Sequence, residues 1–288
     1  MNPTPSPEVG GAITALVQGR HQQPHDLLGQ HLEPGGLRIR VLKPLAQSVQ
    51  VRFEDGVTLD LAHEAEGVWT AVRADAERTM DYRLAVAWAD GIEHVQDDPY
   101  RFAPTLGEVD LHLVNEGRHE LLWTVLGSRV HEYDGPMGPV KGVAFAVWAP
   151  RAKAVRVIGD FNDWDGRIHP MRMLGGSGVW ELFVPDVGVG NIYKYEIRGA
   201  DDVVRTKADP MARRTECPPN TGSVVDASGH EWGDAQWMEQ RAQSNPHTGP
   251  MSTYEVHLGS WRQGLSYREM AEHLVNYARQ QRRGEWVS

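Results

Sequence analysis

One short stretch, Gly159-Asp160-Phe161-Asn162-Asp163-Trp164-Asp165-Gly166, gathers three carboxylates and two aromatic rings. Carboxylates do acid–base work when their surroundings push their pKa values apart. These three sit in a turn-like segment bounded by glycines, where aspartates ordinarily stabilise turns, and no catalytic residue is assigned among them. The rings suggest a different chemistry. An exposed aromatic face stacks on a flat, C–H-rich partner such as a sugar ring, and the ammonium of Lys194, in Tyr193-Lys194-Tyr195, can donate to hydroxyls. Phe161 reads first as a plug beneath the loop and Lys194 as a solvated charge. Trp164 stays open between a ligand platform and packing against a neighbouring domain. His21, His25 and His31 cluster without the cysteine or carboxylate spacing of a metal site, so neither metal nor cofactor is expected. Cys217 is the sole cysteine, so no intramolecular disulfide can form; a buried, inert thiol in a reducing compartment is the expectation.

The elements that position this loop occur twice. Gly36-Leu37-Arg38-Ile39-Arg40-Val41-Leu42-Lys43-Pro44 aligns with Gly142-Val143-Ala144-Phe145-Ala146-Val147-Trp148-Ala149-Pro150, at an offset of 106 (142 − 36). Val49-Gln50-Val51 aligns with Val155-Arg156-Val157. Gly67-Val68-Trp69 aligns with Gly178-Val179-Trp180, and Asp98-Pro99 with Asp209-Pro210, at an offset of 111 (178 − 67). The second copy therefore gains residues between Val157 and Gly178, where the aromatic loop lies. Alternation within each copy (Leu37, Ile39 and Val41 against Arg38 and Arg40) predicts half-buried strands, and Asp55-Gly56 and Asp90-Gly91 predict turns. Trp69 and Trp180 read as core.

The fold class expected is mainly β. It comprises two tandem immunoglobulin-like β-sandwiches, then a strand at Ser252–Leu258 and a helix at Tyr267–Gln280, the opening βα unit of an incomplete (β/α)8 barrel. The expected segments are a disordered N-terminus over 1–11, a sandwich over 12–106, a helical connector over 107–137 and a second sandwich over 138–228. Residues 229–288 would form a linker and the barrel start. A short helix is expected from Ala12 to Gln18. The formal net charge of −10 argues against nucleic acid as the main partner, and no apolar run approaches the ~20 residues of a membrane span. A cytoplasmic monomer is the default.

Phe145–Pro150, Gly159–Gly166, His169-Pro170-Met171, Gly178–Pro185 and Tyr193–Ile197 together resemble the glucan-binding sandwich of bacterial glycogen branching enzymes. Tyr254-Glu255-Val256-His257-Leu258-Gly259-Ser260-Trp261 resembles the first barrel strand of those enzymes, which are similar to the amylase superfamily. The front sandwich, with Gly19-Arg20-His21 and Asp97–Phe102, resembles the extra N-terminal module of the longer bacterial form. The resemblance spans about residues 12–278. It implies 1,4-α-glucan branching without a cofactor, an α-glucan partner, and glucan contacts at Trp164 and Lys194. The catalytic carboxylates of such enzymes lie on later barrel strands absent here, and the tail from Arg279 departs from the pattern. The chain alone is expected to be inactive. The alternatives are a non-catalytic glucan-binding scaffold, or the front of a debranching or trehalose-forming relative. A second exposed aromatic, usual after the lysine strand of strong glucan binders, is missing from Ala200–Val204.

Overall fold

The computed structural model describes residues 6–245, 247–249 and 253–282. The expected disorder of residues 1–5, the start of the Ser252 strand and the tail from 283 lie outside them. The chain divides after Ser228 into two compact units.

The first unit holds both sandwiches. The first is built from β1 (Gly29–Glu33), β2 (Gly36–Leu42), β3 (Ser48–Phe53), β4 (Thr58–Asp60), β5 (Ala62–Ala65), β6 (Val68–Arg73), β7 (Tyr82–Ala87) and β8 (Glu93–Gln96). Its antiparallel sheets run β1-β2-β6-β5 and β4-β3-β7-β8. Leu37, Ile39 and Val41 of β2 meet Val49, Val51 and Phe53 of β3 and Leu84 and Val86 of β7 in one core. Each such side chain, fully buried, contributes ~1.5–3 kcal/mol of transfer free energy. The second sandwich uses β9 (Gly127–Tyr133), β10 (Val140–Trp148), β11 (Ala154–Gly159), β12 (Arg172–Met173), β13 (Val179–Pro185), β14 (Ile192–Arg198), β15 (Val204–Lys207), β16 (Arg214–Thr215) and β17 (Ser223–Val224). One sheet runs β12-β13-β10-β9. The other runs β11-β14-β17-β16, with β15 also on β14.

The internal repeat survives as repeated hydrogen bonds. Trp69 Nε1 donates to Lys43 O and Trp180 Nε1 to Ala149 O, both at 3.1 Å. Lys43 N donates to Gly67 O and Ala149 N to Gly178 O, both at 2.8 Å. Tyr82 OH donates to Asp98 (2.7 Å) and Tyr193 OH to Asp209 (2.6 Å). A Cβ on Gly67 would lie 2.4 Å from Pro44 Cα, and one on Gly178 2.7 Å from Pro150 Cα. Only glycine fits at that crossing in either copy.

Three segments differ from expectation. Helix α1 (Pro7–Val17) starts before Ala12 and takes in residues 7–11. The Ser6-Pro7-Glu8 run is a helix start, with Ser6 Oγ accepting from Val9 N at 3.4 Å and proline at the first position. Ile13 and Leu16 are buried in the second sandwich's core. The exposed carbonyls at the helix end are satisfied by that sandwich too. Arg156 Nη2 donates to Val17 O (2.8 Å), Arg198 Nε to Gly19 O (2.8 Å) and Arg198 Nη2 to Gln18 O (2.9 Å).

The connector is helical only over α2 (Glu108–Asn115) and a single turn at Leu122–Thr124. Val125 and Leu126, within the expected helical connector, instead pack on Ala146, Leu174 and Val179 at the outer face of the β10–β13 sheet. From Gly127 the chain is a strand paired with β10, Gly127 opposite Ala146 and Tyr133 opposite Val140.

The second unit contains α3 (Ala235–Gln243), α4 (Leu258–Trp261) and α5 (Tyr267–Arg282). Helix α5 has a capping box: Ser266 N donates to Glu269 (2.8 Å) and Glu269 N to Ser266 Oγ (3.4 Å). Tyr254 and Trp261 pack their rings on Tyr277 at 5.2 and 5.7 Å. The expected barrel strand is not formed. Residues 253–257 carry no strand pairing, and Leu258–Trp261 is a helical turn. A strand exists by its ladder, and among the described residues none lies alongside.

Candidate functional site

The aromatic loop fills the connection from β11 to β12. Asn162 staples it from within: Gly159 N donates to Asn162 Oδ1 (2.9 Å), while Nδ2 donates to Val157 O (3.0 Å) and His169 Nδ1 (2.9 Å). Burial, reinforced by the nearby Lys43 charge, pushes the His169 imidazole down to about 3. The ring is therefore neutral, its Nδ1 accepts, and its proton sits on Nε2. Phe161 stacks on Phe145 at 5.6 Å beneath the loop, as a plug. Asp160 ties the loop to the start of β14 by accepting from Asn191 Nδ2 (2.8 Å) and Ile192 N (3.0 Å).

Above this base the backbone is held in an uncommon shape. Asp163 and Trp164 have φ of +52° and +59°, two consecutive left-handed residues. Aspartate tolerates that region; for a bulky side chain it is an outlier costing on the order of 1–3 kcal/mol. Trp164 N donates to Gly159 O (2.9 Å), closing the turn, and the indole remains 42% exposed. The chain then folds back over β11, since a Cβ on Gly166 would lie 3.0 Å from Arg156 Cδ and 3.1 Å from Ile158 Cγ2.

Lys194 is register-paired with Ile158, so it shares the sheet face over which the loop folds. Its Nζ donates to Thr221 Oγ1 at 2.8 Å. The structure thus brings the Trp164 loop, Lys194 and Thr221 to one face of the β11–β14 sheet. Thr221 was not singled out from sequence. It lies in an irregular segment before β17 with no periodicity to mark it. The other end of this face is covered by the end of α1, where Arg156 also pairs with Glu196 at 3.1 Å. No aromatic stands on the turn between β14 and β15, residues 199–203, where Asp201, Asp202 and Val203 are exposed.

The loop aspartates are tied to nearby donors or exposed. Asp160 is consumed by its two donors. Asp165 is clasped by Arg167 (2.6 Å), whose hydrogen bonds hold its carboxyl below the usual range. Asp163 is exposed. Trp180 is fully buried and Trp69 half-buried, both in core positions. Cys217 is exposed, contrary to expectation, because it lies in the loop between β16 and β17 outside both sheets. Among the described residues no group of three or more metal-ligating side chains assembles, and no helix is long and apolar enough to cross a membrane.

Residues 10–100 match the N-terminal domain of the alpha-1,4-glucan branching enzyme GlgB, and residues 125–212 match carbohydrate-binding module 48, the isoamylase N-terminal domain. The second match begins just before β9, in keeping with the place of that strand in the sandwich. The chain is similar to the 1,4-alpha-glucan branching enzymes GlgB of Thermobifida fusca (55% identity over 93% of this chain), Rhodococcus jostii (54% over 91%) and Nocardia farcinica (53% over 93%). In each the match covers 36% of the relative, so the chain spans about a third of the length of the curated relatives it matches. A pullulanase structure from Anoxybacillus sp. LM18-11 matches 69% of this chain and 27% of its own, at 17% identity and a TM-score of 0.29.

Proposed function

The chain corresponds to the N-terminal part of a 1,4-alpha-glucan branching enzyme, and from that premise we propose that it is the glucan-holding portion of a cytoplasmic enzyme that moves α-1,4-linked segments to 6-hydroxyls in glycogen biosynthesis. The observation that carries this reading is the exposed Trp164, held in a left-handed turn of a loop that folds over the sheet face bearing Lys194 and its partner Thr221. A pyranose ring stacks on the indole. The Lys194 ammonium and the Thr221 hydroxyl, already hydrogen-bonded to each other, donate to and accept from sugar hydroxyls. The acidic net charge suits a neutral ligand.

In this division of labour the first sandwich, about residues 12–106, is scaffold. The second, from β9 to about residue 228, holds the glucan as a monomer without cofactor. Chemistry is supplied by carboxylates that the described residues do not pair: the loop aspartates are tied or solvated, and Asp98 and Asp209 are committed to tyrosine hydroxyls. The doubled sandwich and the Tyr254–Trp261 run favour branching over debranching or trehalose formation.

Retardation of the chain in amylopectin gels tests the binding reading. Retardation is expected for the wild type and loss of most of it for Trp164→Ala; equal retardation of both would overturn it. Incubation with amylose tests the catalytic reading, with no branch points above background expected.

A further inference from the structure

Between the two sandwiches lies a cleft that the Trp164 face does not use. It consists of two adjoining hollows of about 300 and 200 Å3 that share Lys43, Gln96, Phe161 and His169 as lining. The first sandwich supplies Lys43, Leu45 and Trp88 to the larger hollow; the aromatic loop supplies Asn162, Asp163 and Asp165. The loop therefore has two sides, one bearing Trp164 and one lining this cleft. Sites of this size, at a junction between domains and with a few polar groups set in an apolar wall, are typical of small-molecule binding.

The polar lining is under-used. Lys43 is 6% exposed, yet its ammonium makes one hydrogen bond, to Gln96 Oε1 at 3.3 Å. Burial lowers its affinity for a proton and the neighbouring Asp98 opposes that. Two ammonium N–H groups remain uncommitted, and a buried donor left unmade is costly. His169 adds a ring whose proton is on Nε2. Trp88, half-buried, and Leu45, 69% exposed, add apolar surface.

The charge pattern decides the ligand class. Arg101 offsets Asp97 (2.5 Å), Arg167 offsets Asp165 (2.6 Å), and Asp98 lies near Lys43. What remains unpaired at the cleft is Asp163 and Asp186, so an anionic ligand is repelled and a neutral polyhydroxyl one is not. The geometry points to this cleft as a second glucan subsite, taking one or two glucose units with Trp88 as its apolar wall and Lys43, Gln96 and Asp163 as its hydroxyl partners. The inference rests on the glucan-holding reading above for its ligand but not for its residues.

The test is an NMR titration of the 15N-labelled chain with maltotriose, its indole signals assigned through Trp88→Phe and Trp164→Phe. Both the Trp88 and Trp164 signals are expected to shift. In Trp164→Ala the Trp88 titration should persist within about twofold, and in Lys43→Met and Gln96→Ala it should weaken at least tenfold while that of Trp164 is kept. A Trp88 signal that stays fixed to roughly 50 mM maltotriose while Trp164 responds overturns the cleft and leaves the Trp164 face standing. Silence of both signals overturns both readings. A Trp88 response indifferent to Lys43→Met and Gln96→Ala refutes the subsite, and a stronger response to glucose 6-phosphate than to maltose refutes its preference for a neutral ligand.

Discussion

The two sandwiches share a frame and differ in what hangs from it. The frame is set by matched hydrogen bonds: tryptophan to the carbonyl before a proline, tyrosine to the aspartate that ends the repeat. After β3 the first copy makes a short Asp55-Gly56 turn into β4. After β11 the second spends residues 160–171 on the aromatic loop before β12. The inserted residues change the surface and leave the crossing of Gly178 over Pro150 as it is for Gly67 over Pro44. The interiors differ as well. Three residues beyond those glycines stand Thr70 and Glu181. Thr70 donates to Ile39 O (3.0 Å), whereas Glu181, fully buried, binds Arg172 (2.8 Å). The fully buried tryptophan belongs to the second sandwich, whereas each copy buries an ion pair, Arg40 with Glu64 (2.9 Å) in the first and Arg172 with Glu181 in the second.

That contrast can be broken by paired substitutions read in urea denaturation. Trp180→Ala is expected to cost about 4 kcal/mol, and Trp69→Ala, at a half-exposed site, less than half as much; equal costs would erase the distinction. Glu181→Ala strands Arg172 in the interior and should cost about 3 kcal/mol, against about 1 for Thr70→Ala.

Acid sharpens the same contrast, because His169 belongs to the second copy only. Its folded pKa, about 3, lies below the ordinary 6.5, so the unfolded chain takes up the proton first. Stability from this group is complete above 6.5 and is lost as pH falls toward 3, by up to about 1.4 kcal/mol per pH unit. Chemical denaturation at pH 6.5 and 5 should show a loss smaller by about 2 kcal/mol in His169→Gln than in the wild type, the loss that remains coming from His25, which burial likewise pushes down to about 2. The smallest effect concerns the loop: Trp164→Gly should stabilise the chain by about 1 kcal/mol by relieving the left-handed backbone. Unchanged or lower stability would mean that the indole's packing outweighs the strain.

Most of the frame was legible because it rests on period-two alternation and on a repeat that flags its own equivalences. Phe161 was legible as a plug for the same reason, since it follows directly on a strand whose partner face is apolar. The misreadings share a cause. Val125 and Leu126 are apolar at helical spacing, but the face they cover belongs to a sheet, and periodicity does not say what an element packs against. The run from Tyr254 has strand composition, but a strand needs a neighbour, which no local pattern supplies. Thr221 reaches the Trp164 face only through the pairing of β14 with β17, 27 residues from Lys194 in sequence.

The end of α1, gripped by Arg156 and Arg198, has a consequence for how the molecule is made. The helix is translated before the guanidinium groups that receive it, Arg156 and Arg198, which follow it by roughly 140 and 180 residues. At about 5–20 residues per second the delay is on the order of 10–40 s. During that interval Ile13 and Leu16 have no apolar surface of the second sandwich to join, and helix α1 settles only after strands translated long after it.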